Sequence, residues 1–315
     1  MKQFPALCIL MFIVVSPSLL LAQQDSSEFS ALKTKVEQLE KRIFKLEVLI
    51  AELTLKPREK TESKSDKTAP GRSEGISEEP LFKNSIVSTE FDFITSGDPN
   101  AFKSLRFLGQ GRREMPDKRN NKLFANDTFI FEASFRDDSK VKIWAHSSFG
   151  SKDVAERYAN MLCGPLGRLP EMMRKQLSHV VIHNGDETAF AEHKGHFFVL
   201  YSENIETRVR NHDLEETVFH ESVHATLDLK HNKSEAWLSA QKADGNFITK
   251  YAAAKPAKED LPESALFAYT MLKHPGRLPS EVEQWVHSHM PNRLAFFQRL
   301  FSESEKKNAE STNSR

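Results

Sequence analysis

Cysteine is nearly absent from this sequence: 315 residues hold two, Cys8 and Cys163. Cys8 falls within an apolar N-terminal run, which leaves Cys163 alone in the rest of the chain and excludes an internal disulfide as a source of stability. An excess of charge of either sign is missing too, because 44 basic residues face 44 acidic ones. Such a balance provides no long-range attraction for nucleic acid or for an anionic membrane surface, so neither is expected as a partner. A glycine-rich phosphate loop is also lacking. The nearest approach, Gly109-Gln110-Gly111-Arg112-Arg113, is too short and reads as a surface turn.

What is present begins with Lys2, the apolar run Phe4 to Leu21 interrupted by Pro17, and Ala22-Gln23. Residues 1–22 thus read as a signal peptide, and the remainder as exported, either secreted or periplasmic. Membrane attachment is expected only if that segment stays uncleaved. Over residues 23–55, apolar side chains recur at Phe29, Leu32, Val36, Leu39, Ile43, Leu46, Ile50 and Leu53, alternating steps of three and four. This heptad seam predicts a coiled-coil helix, and β-branched residues opposite leucine favour a parallel homodimer through residues 29–53. Glu28 with Lys33, Lys35 with Glu40, and Arg42 with Glu47 would pair across it. Residues 56–80, rich in Lys, Glu, Ser, Gly and Pro, read as a disordered linker.

A globular body is expected over residues 81–301, followed by a polar C-terminal tail, 302–315, that frays. Within the body, Thr128 to Phe135 and Lys140 to His146 predict a hairpin about Asp137-Asp138-Ser139. Asp153 to Leu162 and Pro170 to Leu177 predict helices, His179 to His183 a short strand, and Ala189 to His193 with His196 to Tyr201 a second hairpin. Strands first and helices afterwards imply an α+β fold. Residues 82–119 carry no interpretable motif.

The chemistry concentrates in His220-Glu221-Ser222-Val223-His224. The surrounding stretch has an acidic first turn after a candidate cap at Asp213 and no internal Gly or Pro, so it should be helical. Residues four apart share a helix face, which lets His220 and His224 aim two imidazoles at one zinc ion. Glu221 falls beside that point as a general base for a water. Asp228, on the same helix, is a candidate partner for a ligating histidine or a helix-end salt bridge. A third ligand is needed. The metzincin pattern would require glycine at Leu227 and histidine at Lys230, and His231 is one residue out of register. Among Glu259, Asp260 and Glu263 a carboxylate is available, and the residues alone leave the choice open.

Here the chain resembles the gluzincin clan of zinc peptidases, in particular those similar to anthrax toxin lethal factor. In that family a tyrosine precedes a Glu-x-x-x-Glu sequence; the matching residues are Tyr251 and Glu259 to Glu263. The resemblance implies a zincin-like fold, with Glu259 as third zinc ligand, Glu263 supporting a ligating histidine, and Tyr251 stabilising an oxyanion during hydrolysis of a peptide or protein substrate. It covers about Asp213 to Leu272, and departs from the family at Val223 and Pro262, where the family has glycine and alanine. His196 to Tyr201 is then the candidate edge strand for substrate, with His193 and His196 at its turn, while Trp237 reads as core. The competing expectation is a non-catalytic scaffold that keeps the fold and pairs through its coiled coil.

Overall fold

In the computed structural model, the residues described are 79–89 and 91–313, side chains at 88 and from 304 onward excepted. They belong to one unit by their contacts, Ser73–Arg315. The expected leader, heptad helix and nearly all of the linker lie outside them. No described helix is long and apolar enough to cross a membrane.

The fold is α+β, built on a six-stranded mixed sheet of order β1-β2-β3-β4-β6-β5. Its strands are β1 (Phe102–Glu114), β2 (Phe124–Phe135), β3 (Lys140–Ala145), β4 (His179–His183), β5 (Phe190–Glu192) and β6 (Phe197–Tyr201). β1, β2 and β3 form an antiparallel meander; β3, β4 and β6 run parallel; β5 returns antiparallel to β6. Helices do not simply follow the strands, as the sequence suggested. Parallel pairing of β3 with β4 demands a long crossover, which α1 (Lys152–Arg168) and α2 (Glu171–Gln176) supply.

Burial explains the composition of each strand. β3 alternates exposed and buried positions, whereas every residue of β4 and β6 is buried, which is why His179-Val-Val-Ile-His183 and Phe197-Phe-Val-Leu-Tyr201 are so apolar. One face of the sheet packs on the helices through Phe131, Ile143, Ile182 and Leu200. The other is covered by a smaller cluster of Met115, Val181, Phe197 and Tyr201. Each such side chain contributes about 1.5–3 kcal/mol on full burial.

Two expectations fail here. The run Gly109 to Arg113 is not a surface turn but the second half of β1, where register shifts interrupt the pairing and Gly109 sits at φ 116°. A side chain there would be strained, so glycine marks a bulge within a strand. His196 to Tyr201 is not an edge: β6 has β4 on one side and β5 on the other, and β5 is the terminal strand. Gly195 closes that hairpin, and a Cβ there would lie 2.5 Å from the Phe197 ring.

Helices α3 (Ser202–Asn211), α4 (Leu214–Thr226), α5 (Glu235–Asp244), α6 (Lys250–Ala254), α7 (Asp260–Lys273), α8 (Ser280–His289) and α9 (Pro291–Asn313) complete the unit. α4 is central, buried at every position from Glu216 to Thr226, and packs on β6, α1 and α7. Asp213 precedes it without capping it, because its carboxylate pairs with Arg208 at 2.8 Å. Trp237 is fully buried against Phe296 and Phe297. The expected fraying tail is instead the end of α9, whose backbone stays helical to Asn313, since no Gly or Pro after Phe301 stops it.

The uninterpreted segment before β1 ties the helices together. Phe82 and Phe93 pack on Phe267 of α7, and the Ile94 amide donates to Glu216 on α4 at 3.1 Å. Burial drives the Glu216 carboxyl up to about 8, only partly opposed by that donor. Because the folded state holds its proton more tightly than the unfolded chain, this residue's contribution is complete at acidic pH below its ordinary range and is lost as pH rises toward 8. Glu216→Gln keeps an acceptor for Ile94 without the titration. Its melting temperature should therefore fall less than the wild type's between pH 5 and pH 8; an unchanged difference would contradict this.

Candidate metal centre

α4 presents His220 and His224 one turn apart, with ring centroids 5.0 Å apart. Their Nε2 atoms converge on a single oxygen, Glu259 Oε2, at 3.6 Å from His220 and 3.2 Å from His224. These three buried or nearly buried residues form a group whose ligand atoms lie within 4.8 Å of one another and could hold a metal ion. Glu259 immediately precedes α7, and Pro262 occupies that helix's first turn, where an amide proton has no intrahelical acceptor and its loss costs little.

The other carboxylates left open by the sequence are turned elsewhere. Asp260 Oδ2 accepts from Gln241 Nε2 at 2.8 Å and lies 3.1 Å from Arg293 Nε, in the core beneath the site. Glu263 lies behind His220, with Oε1 3.6 Å from Nδ1. It is fixed by donors far away in sequence, the Ser85 hydroxyl at 2.5 Å and the Ile86 amide at 2.9 Å. Asp228 reaches His224 Nδ1 at 2.7 Å, from the first residue of the π-helical turn Asp228–Asn232 that ends α4. Each imidazole thus has one nitrogen toward Glu259 and the other toward a carboxylate, and at His224 the second carboxylate is hydrogen-bonded, the arrangement that fixes a tautomer.

Without a cation, these buried groups compensate one another electrostatically. Burial would raise the Glu259 carboxyl, but hydrogen bonds with His220 and His224 outweigh it and hold the group well below the usual carboxylate range. Burial also opposes charging of His224, yet Asp228 and Glu259 at its two nitrogens lift it to about 10, so without a cation the ring holds a proton that metal binding would displace. A set of two imidazole nitrogens and one carboxylate oxygen, with further carboxylates behind, suits a divalent cation of borderline hardness. His220 Nδ1 faces Glu263 Oε1 at 3.6 Å, beyond hydrogen-bond reach, and has no hydrogen-bond partner within the protein.

Glu221 and Tyr251 line the same cleft, which has a volume of about 730 Å³. Tyr251 stands on α6, half-buried; burial first, and then the nearby Glu259 carboxylate, push the phenol up. The cleft's far wall includes Ala189, Phe190 and Ala191, so the terminal strand β5, rather than β6, borders the site. His193 lines it as well, whereas His196 Nδ1 is directed at Ala225 O of α4 at 2.9 Å.

Lys118 is a cleft residue with no sequence signal. It sits in the loop between β1 and β2, and its ammonium donates to Thr188 O, Thr188 Oγ1 and Ala189 O. Only the folding of that loop across the sheet brings it there. No family model matches the sequence, and no curated protein or solved structure matches it.

Proposed function

We propose that this chain is an exported zinc-dependent peptidase of zincin-like architecture, paired through the heptads of residues 29–53. The observation carrying this reading is the convergence of His220 Nε2, His224 Nε2 and Glu259 Oε2 in a cleft that also holds Glu221. Those three residues would hold the zinc ion, which when bound supplies Lewis acidity to a water and to the scissile carbonyl. Asp228 keeps the His224 ring oriented, and Glu263 faces the far nitrogen of His220. Glu221 takes the proton from the attacking water and returns it to the leaving nitrogen. Tyr251, whose phenol stays protonated, donates to the oxygen on which charge develops. An extended substrate lies along β5, the sheet's terminal strand beside the cleft.

An intact glutamate between the two histidines supports catalysis over a scaffold role, since metal retention alone has no use for a base there. The test is reversible chelation. Full-length protein freed of metal should leave an unstructured protein substrate uncut, and one equivalent of zinc should restore cleavage at backbone amides. Zinc binding without any amide cleavage would favour the scaffold.

A further inference from the structure

The chain as a whole is neutral, but its cleft is not. Outside the histidine and carboxylate set at its floor, the charged side chains lining it among the described residues are Lys118, Lys233, Lys255 and Lys258. They come from three separate segments: the loop after β1, the turn before α5, and the stretch joining α6 to α7. Helical or strand periodicity therefore cannot have gathered them as a solvated face.

The carboxylates of the floor offset these charges only in part, because four lysines stand against Glu221, Asp228 and Glu259 among the lining residues. Lys118 is held at the rim of β5 by two carbonyls and a hydroxyl, neutral dipoles that fix the ammonium without cancelling it. Lys255 Nζ lies 4.5 Å above the Tyr251 ring. Lys258 is 75% exposed, with Nζ 3.9 Å from Glu259 Oε1, the carboxylate oxygen that is not the one facing the histidines. Lys118 is attracted by Glu221, Glu187 and Glu259 and repelled by Lys258. Four like charges around one cleft raise the local concentration of anionic groups and penalise cationic ones.

We propose that the cleft selects peptide segments bearing aspartate or glutamate beside the scissile bond, an inference that rests on the peptidase reading. A peptide fits better than a nucleic acid because a terminal β-strand borders the cleft, where an extended backbone can pair with it while acidic side chains meet the lysines.

The experiment uses three sets of fluorescence-quenched peptides sharing one core and flanked by Glu, Gln or Lys. Hydrolysis by the zinc-loaded protein is measured alongside binding of the same peptides to the metal-free protein. At low salt the Glu-flanked set should exceed the Gln-flanked set by about tenfold in both readouts, and the gap should shrink as added salt shortens the screening length. The double substitution K233E/K258E should shift preference toward Lys flanks; a mere disturbance of Glu259 would lower all three sets together, and K233E alone, farther along the chain from the ligand, should shift it in the same direction. Equal rates for all flanks, a preference for Lys, or tighter binding of a single-stranded oligonucleotide of equal charge would overturn the proposal. Binding in the expected order without hydrolysis of any set would instead overturn the peptidase reading and leave charge selection standing.

Discussion

Glu221→Gln should lower peptide hydrolysis by roughly 10²–10⁴-fold, the usual contribution of a positioned general base, while leaving zinc content unchanged. The substitution is nearly isosteric and falls at a cleft position outside the three residues whose ligand atoms converge. What it removes is the ability to accept a proton. His220→Ala is the informative contrast, because it deletes one of two imidazoles aimed at Glu259 and should lose metal and turnover together. Single-turnover kinetics with metal analysis on the same samples separates these cases. A Gln variant that cleaved at the wild-type rate would mean that another group takes the proton.

Arg293→Ala should cost about 3–5 kcal/mol of stability, the range for breaking a buried ion pair by removing one partner. The Arg293 side chain is fully buried together with Asp244 and Asp260, with its Nε 3.1 Å from one carboxylate and 3.8 Å from the other. Its Nη2 also donates to Asn246 O at 2.5 Å. Without it, two carboxylates remain in the core with no cation between them. The consequence reaches the metal centre, since Asp260 is the chain neighbour of Glu259 and the start of α7 depends on both. Denaturant unfolding measures the loss; a change below about 1 kcal/mol would show that the two aspartates are protonated or rehydrated instead.

What the sequence revealed, and what it hid, follows from the range of the interactions involved. His220, His224 and Asp228 share one helix end, so spacing alone could bring them together, and Trp237 was legible as core. Glu259 could be narrowed only to one of three neighbouring carboxylates, because the choice depends on Arg293 drawing Asp260 into the core and Ser85 holding Glu263. Ser85 and Glu263 are 178 residues apart, and no local pattern encodes that bond. β1 was missed because Gly109 and Gly111 look like turn residues until they are seen to accommodate a register shift. The hairpin of β5 and β6 was readable, but its edge was not: pairing within a hairpin says nothing about which strand β4 joins.

The most direct test of the whole account is anomalous scattering at the zinc edge from crystals of the zinc-loaded protein. One peak per chain is expected, within coordination distance of His220 Nε2, His224 Nε2 and a Glu259 carboxylate oxygen. Its absence, or a peak bound elsewhere with Glu259 out of reach, would contradict it.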